Sequence, residues 1–354
     1  MTTTATPSKG VSKDIAIVGW AQTPMVRRTE LTETQMLMGV ITDLLKPLGL
    51  TRADIDFTCL GSCDYITGQA FSFVSNLDAI GAWPPKRDSH VEMDGAWALY
   101  EAWLRLQEGD IEIAVVTGSG RSSTGDPALI YPMEMDPFFL APLGADPLTF
   151  AALQARAVIA AGIADERRMA EVSVRSRGRT GAKADIDALL KSDYVREPLR
   201  RHDLPPITDG AAAMLLATGE RARKLVKRPA YITGFDHRTE CHNPSFRRLD
   251  DSPATRIAAK AAGLHDGPPV EVAELQAAFS HEELLLRHVL ELGPDVRVNP
   301  SGGALKSNPI MASGLCRIGY AADHVFSGGR RALGHSTSGP CLQQNLICIV
   351  EGRS

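Results

Sequence analysis

The chain is 354 residues long and 44% hydrophobic, enough to bury a large core as one large domain or two intimately packed ones. Its net charge is −4, with Lys and Arg dispersed, which gives nucleic acid no footprint. The opening residues MTTTATPSKG are polar, and no stretch approaches about 18 consecutive apolar residues, so the expectation is a cytoplasmic protein without signal peptide or membrane-spanning helix.

In chain order, Ile15–Val18 followed by Gly19 predicts a strand and turn. Apolar residues at near-helical spacing from Leu31 to Leu50 predict a helix closing at Gly49, and Thr51–Asp54 a helical turn leading into Phe57–Leu60. A helix is expected over Gly95–Gly109, with Ala96, Leu99, Trp103 and Leu106 on one face. Ile111–Thr117 reads as a buried strand closed by Gly118-Ser119-Gly120.

The rhythm breaks between Ser122 and Phe150, where five prolines, two methionines and Tyr131, Phe138, Phe139 and Phe150 predict a loop covering a site or an oligomer contact. Helices are expected over Phe150–Ala161 and Glu166–Lys183, with Arg167, Arg168, Arg175, Arg177 and Arg179 on a solvated face. Arg200-Arg201 reads as surface or as part of a site for a phosphorylated cofactor.

The second half repeats the theme. Strands are expected over Ala230–Phe235, Val270–Leu275, Val296–Val298 and Asn345–Glu351, and helices over Pro253–Gly263, Ser280–Leu292 and Ser313–Gly328. Ser280 is the expected N-cap of its helix, with Glu282 and Glu283 in the first turn, where the helix dipole favours negative charge. Strand and helix alternating twice over predict an α/β protein with buried sheets. Six cysteines complete no zinc pattern, and in a reducing compartment they are expected to be free.

The most informative stretch is VRVNPSGGALKSNPIMASG, Val296–Gly314. Two Asn-Pro turns flank Ser301-Gly302-Gly303, where the absence of Cβ lets backbone amides approach a ligand or another segment. Locally this reads equally as an active-site rim or as a pair of structural loops.

VNPSGG followed by Pro-x-x-Ala-Ser-Gly resembles the thiolase superfamily, in its sterol-carrier and lipid-transfer branch. Asp14–Gly19 resembles that family's opening strand, Asp209–Ala213 its SDGAAA block, Ala278-Phe279-Ser280 with Glu283-Leu284 its CFS…NEL segment, and His335–Pro340 its last active-site loop. The resemblance implies a duplicated, five-layered αβαβα fold, with halves at 1–225 (including the insertion near 122–150) and 226–354. It also implies a dimer. Coenzyme A, part of the substrate rather than a separate cofactor, would contact Ser301, Gly302, Gly303, Gln276 and Gly339.

The reacting positions depart from the family. A thiolase needs a cysteine thiolate at a helix start, a base and oxyanion donors. The family's C-[ST]-x-G-x-x-A-L corresponds to Glu92-Met-Asp-Gly-Ala-Trp-Ala-Leu99, which puts Glu92 in the cysteine position. The histidine of GHP becomes Asn308, and HDCF becomes Gln276-Ala-Ala-Phe279. Cys341 corresponds to the second active-site cysteine and reads here as a lining thiol.

One branch with this wording, also at Leu199–Pro206, consists of steroid side-chain aldolases that cleave a 3-hydroxyacyl-CoA by retro-aldol chemistry, docked to a small cover protein. That chemistry requires a base and an enolate-stabilising donor but no acyl-enzyme. Glu92, Asp94, His281 and His335 are the acid–base candidates. Their structural alternatives are a hydrogen-bonded filler at Glu92, an N-cap at Asp94 and a solvent-exposed His281. Tyrosines serve some aldolases of the branch, and none stands in the Phe279, Asn308 or His335 segments.

The leading expectation is therefore a carbon–carbon lyase acting on a steroid or other bulky 3-hydroxyacyl-CoA. The alternative is a non-catalytic acyl-CoA-binding subunit, with an ordinary thiolase third. Expected partners are a second copy or a thiolase-like paralogue and a small oligonucleotide-fold (DUF35-type) cover protein. No metal is expected.

Overall fold

Residues 13–81, 85–178 and 185–353 are described by the structure, a computed structural model. Ten strands form its sheet: β1 (Ile15–Gln22), β2 (Phe57–Gly61), β3 (Arg87–Val91), β4 (Ile113–Gly120) and β5 (Gly210–Thr218), then β6 (Ala230–Thr239), β7 (Val272–Leu275), β8 (Arg297–Val298), β9 (Arg331–Ser338) and β10 (Gln344–Gly352). Their order is β8-β7-β9-β10-β6-β1-β5-β4-β2-β3. Each half thus runs third, second, fourth, fifth, first, and the halves meet where β1 pairs antiparallel with β6 through Ala16–Tyr231 and Ile17–Ala230. The first three strands of the order are parallel in each half, and the fifth runs antiparallel to both neighbours.

Helices cover both faces of each half, so the central strands read as unbroken apolar runs rather than as alternations. Along β5, Ala212, Met214 and Leu216 face one layer while Ala211, Ala213, Leu215 and Ala217 face the other. Helix α1 (Glu33–Leu45) covers the outer face of the first half, with Met36, Leu37, Ile41 and Leu44 on Val18, Val115 and Leu215. Helix α2 (Gly95–Glu108) lies in the middle layer. On the outer face of the second half lie α3 (Pro147–Ala160), α4 (Glu166–Ser176), α5 (Pro253–Ala261) and α6 (Ser280–Val289). Helix α7 (Ser313–Phe326) joins α2 in the middle, where Leu99 and Leu106 meet Leu315, Ile318 and Val325. The result is the five-layered αβαβα arrangement expected from the resemblance.

Local chemistry sets the boundaries. Thr32 and Gln35 form a reciprocal capping box at the start of α1. That helix ends at Leu45, shorter than its apolar pattern, because a 3₁₀ turn over Lys46–Leu48 and left-handed Gly49 (φ 66°) finish the run. In α2 the inward stripe includes Ala102, whereas Trp103 is half-buried. β4 continues through the glycines expected to close it, and β6 extends to Thr239.

Ser280 is not the N-cap of α6. Phe279 holds that position, and the Ser280 hydroxyl donates to Asp203 at 2.5 Å. The arginines expected on a solvated face divide: Arg167 pairs with exposed Asp187, but Arg175 reaches the buried Glu283. Arg177 donates to the carbonyls of His202 (2.5 Å) and Leu204 (2.7 Å), pinning that loop. Arg179, the expected helix end at Lys183 and the first ten residues lie outside the described residues. All six cysteines are free. Among the described residues no helix is long and apolar enough to cross a membrane.

Candidate active site

A cavity of about 1490 Å³ opens at the N-terminal ends of α2 and α7. Glu92, Met93 and Asp94 enter it from before α2, and Asn308, Ile310 and Met311 from before α7. Gln276, Ala278 and Phe279 arrive after β7, and residues 337–344 contribute the turn between β9 and β10. Four segments far apart in sequence therefore share one space. The proline- and aromatic-rich segment after Ser122 forms a further wall through Tyr131, Glu134 and Met135.

Close backbone approach makes this convergence possible. A Cβ on Gly118 would lie 2.3 Å from the Met311 carbonyl oxygen, and one on Gly120 would lie 1.9 Å from that of Ile310. The end of β4 must therefore be glycine for the Asn308–Met311 turn to cross it. Met311, Cys341 and Leu342 hold left-handed backbone (φ 73°, 55° and 56°), a conformation costing a residue with Cβ about 1–2 kcal/mol, and all three line the cavity.

Asp94 ties the two middle helices together. Its Oδ1 accepts the amides of Ala96 (2.9 Å) and Leu315 (3.0 Å), and Oδ2 accepts that of Gly314 (2.9 Å). It thus caps α2 and α7 at once, satisfying first-turn amides that a helix leaves without internal partners. Burial pushes its pKa up, against the three amides and the Arg317 guanidinium. Asp209 does similar work at the rim. It accepts from Thr29 N–H (3.0 Å) and Ser123 N–H (2.9 Å), which fixes the loop carrying Arg27 and Arg28 beside the covering segment.

The amide orientation of Gln276 follows from its partners. Oε1 accepts from the Ser336 hydroxyl (2.7 Å) and Thr337 N–H (3.1 Å), leaving Nε2 as an unused donor on the cavity wall. The side chain of Asn308 bears no hydrogen bond among the described residues; its backbone N–H donates to Thr208 Oγ1 at 2.8 Å. Two carboxamide NH₂ groups without an acceptor among the described residues thus line the cavity. Gly339 (φ 74°) lines it as well.

The other candidates are placed differently. Glu92 sits on the rim with an exposed side chain rather than in a buried helix start, accepting from Asp64 N–H with His90 Nε2 at 3.4 Å. His335 lies within β9, fully buried, with Nε2 3.1 Å from Asn345 Oδ1, and it is not part of the cavity lining. His281 is equally buried rather than solvent-exposed, 3.3 Å from Gln154 Oε1, and is likewise outside the lining. Burial pushes His281 down to about 3 and His335 to about 4, so both are neutral near pH 7.

Cys341 reaches the cavity, but burial pushes its thiol up to about 12, and Sγ lies 3.4 Å from the Phe150 carbonyl. Ser301, Gly302 and Gly303 lie apart from the cavity, their amides turned inward: Ser301 N–H donates to Glu274 (3.0 Å), Gly302 N–H to the Asn299 carbonyl (2.9 Å) and Gly303 N–H to Ser301 Oγ (3.2 Å).

Several lining groups escaped the sequence reading. Cys63 donates to Glu134 Oε1 at 3.2 Å beside Tyr131, and burial raises the pKa of all three, Cys63 to about 12. Glu282, noted only as a first-turn carboxylate, also lines the cavity. Tyr131 itself belongs to the segment expected to cover a site, whereas nothing local marked Cys63 or Glu134 as its neighbours.

No family model matches the chain. An acetyl-CoA acetyltransferase of Methanothermobacter thermautotrophicus is 23% identical over 371 residues, spanning 92% of this chain and 97% of its own. A 3-ketoacyl-CoA thiolase of Aeromonas salmonicida is 24% identical, spanning 96% and 99%. Human mitochondrial 3-ketoacyl-CoA thiolase superposes with a TM-score of 0.75 at 16% identity, covering 96% of this chain and 99% of its own. The Ltp2-ChsH2(DUF35) aldolase superposes equally well, TM-score 0.75 at 18% identity, covering 96% and 98%. The chain has the thiolase fold. Full-length likeness to thiolases in sequence supports a place in the thiolase superfamily, and the aldolase structure shows that this architecture also houses a lyase.

Proposed function

We propose that the chain is a thiolase-fold carbon–carbon lyase that splits a steroid or other bulky 3-hydroxyacyl-CoA by retro-aldol cleavage. The observation that carries this reading is the cavity's inventory: two free carboxamide donors, Gln276 and Asn308, and no thiol poised to ionise. A thiolase nucleophile must be a thiolate, and at about 12 neither Cys63 nor Cys341 supplies one near pH 7. An aldol cleavage needs no acyl-enzyme. It needs donors where charge develops on the thioester oxygen, which the two carboxamides provide.

Size and charge agree with the substrate class. About 1490 Å³ exceeds the roughly 300–1,000 Å³ of an ordinary small-molecule pocket, leaving room for a pantetheine arm and a bulky acyl group. Arg27, Arg28 and Arg201 border the cavity without a carboxylate partner among the described residues and suit the phosphates of coenzyme A. On the covering segment Leu129, Met133, Phe138, Phe139 and Leu143 are exposed, a surface suited to a cover protein or a second copy of the chain.

The test is incubation of the purified chain, alone and with a co-expressed DUF35-type partner, with a steroid 3-hydroxyacyl-CoA. Release of a ketone and a shortened acyl-CoA supports the lyase. Binding without turnover in either setting selects instead a non-catalytic acyl-CoA-binding subunit, the reading favoured by the withdrawal of His281 and His335 from the cavity.

A further inference from the structure

The lyase reading needs a group that moves a proton, and the histidines are shut away. Glu282 shares the cavity with the carboxamides of Gln276 and Asn308. It stands in the first turn of α6, is 6% exposed and lines the cavity. Its Oε2 accepts the amides of Ala278 (2.7 Å) and Phe279 (3.1 Å), in the turn that leads from Gln276 into the helix. Oε1 takes no hydrogen bond among the described residues, yet it is not among the sealed, unpartnered polar atoms, so it is the oxygen open to the cavity.

Among the described residues no cation pairs with this carboxyl. Around it, Arg175 is paired with Glu283, Arg247 donates to the carbonyls of Pro340 and Cys341, Asp203 takes the Ser280 hydroxyl, and His281 is held at Gln154. Cys341, also in the cavity lining, feels the Glu282 charge. Burial alone pushes Glu282 up to about 7, against the two amides that favour its ionised form. A carboxyl near 7 exchanges a proton readily in either direction at neutral pH. A helix-capping role accounts for Oε2 but leaves Oε1 unused.

We infer that Glu282 is the catalytic residue that carries the proton in the carbon–carbon cleavage. Its Oε1 takes the proton of the substrate's 3-hydroxyl. The C2–C3 bond breaks as the C3 carbonyl forms, and the electron pair passes to the thioester oxygen, held by the carboxamides of Gln276 and Asn308. As the enolate collapses, C2 takes the same proton back from the carboxyl. A ketone and a shortened acyl-CoA leave, with no oxidant, reductant or water consumed. The assignment rests on the lyase reading for its substrate, but the base can be tested without that substrate.

The experiment follows exchange of the C2 hydrogens of acetyl-CoA in D₂O by mass spectrometry, using the full chain, and separately cleavage of a 3-hydroxyacyl-CoA. Wild-type exchange is expected to rise with pH through about 7. In Glu282→Gln, which keeps an acceptor for the two turn amides, it is expected to fall about 10²–10⁴-fold, the usual weight of a positioned acid–base group. A folded Glu282→Gln with unchanged exchange, or a wild-type protein with none, overturns the assignment. The wild-type profile decides the matter if the variant does not fold, since a rate flat from about pH 5.5 to 8.5 has the same force. Exchange lost in the variant without cleavage of any 3-hydroxyacyl-CoA by wild type upholds Glu282 and refutes the lyase reading. Cleavage with an unaltered rate and pH limb in Glu282→Gln does the reverse.

Discussion

Replacing Asp94 by Ala removes the joint between α2 and α7. The carboxylate, 2% exposed, accepts three amides at 2.9–3.0 Å, one from α2 and two from α7. A buried donor stripped of its acceptor costs about 1–3 kcal/mol, and an N-cap replaced by Ala about 0.5–2 kcal/mol. Water entering the vacated space would recover part of that for three orphaned amides, so a net loss of about 4 kcal/mol is expected. This is a large share of the roughly 5–15 kcal/mol that keeps a domain folded. Asp94→Asn keeps one accepting oxygen but sets an NH₂ against the Gly314 or Leu315 amide, and should lose about half as much. Urea unfolding at pH 7 followed by circular dichroism measures both, provided the slope of the transition is unchanged. An Asp94→Ala loss below about 1 kcal/mol would refute the shared cap and imply that the two helix ends are held independently.

Three further expectations follow from the same geometry. Because burial raises Glu282 from its ordinary 4.5 to about 7, folding takes up a proton there; the stabilisation is full below about 4.5 and is lost as pH rises through about 7. Relative to wild type, Glu282→Gln should therefore gain about 3 kcal/mol between pH 4 and pH 8.5, and a difference independent of pH by urea unfolding would contradict this. Alkylation by iodoacetamide at pH 7 should show one fast thiol, Cys241, the one exposed cysteine, abolished by Cys241→Ser; a second fast thiol protected by acyl-CoA would restore the thiolase reading. Calorimetry with coenzyme A should show about tenfold weaker binding for Arg201→Ala, eroding as salt is raised, and an unchanged affinity would remove Arg201 from the phosphate path.

Much of the site was legible in the sequence because backbone chemistry is local. Asn308-Pro309 and Ala312-Ser313-Gly314 mark a turn into a helix in any context, and Gln276–Phe279 and residues 335–340 stand out by their wording. All of these segments reach the cavity or border it. What the wording could not convey was the direction of each side chain. His335 falls in a strand, where one step of register decides between cavity and outer layer, and it faces outward with Asn345. Ser301-Gly302-Gly303 has the look of a ligand-binding loop, but Glu274, the Asn299 carbonyl and the Ser301 hydroxyl claim its amides. Glu282 looked like a dipole complement because one carboxylate oxygen does serve that purpose; the second becomes visible only when the cavity wall is assembled.

By itself, then, the sequence determined the α/β class, many of the helices and strands and the segments that form the rim, but not β3, β5 or β9, for which it carried no strand expectation. What it determined follows from periodicities, caps and turns that act over a handful of residues. The tertiary structure alone decided which titratable groups share the cavity and in what state. Burial depresses His281 and His335 and raises Cys63, Cys341 and Glu282, while the fold leaves the NH₂ groups of Gln276 and Asn308 without an acceptor among the described residues. Desolvation and hydrogen-bond partnership are properties of the packed layers, set by residues distant in the chain, and no local pattern encodes them.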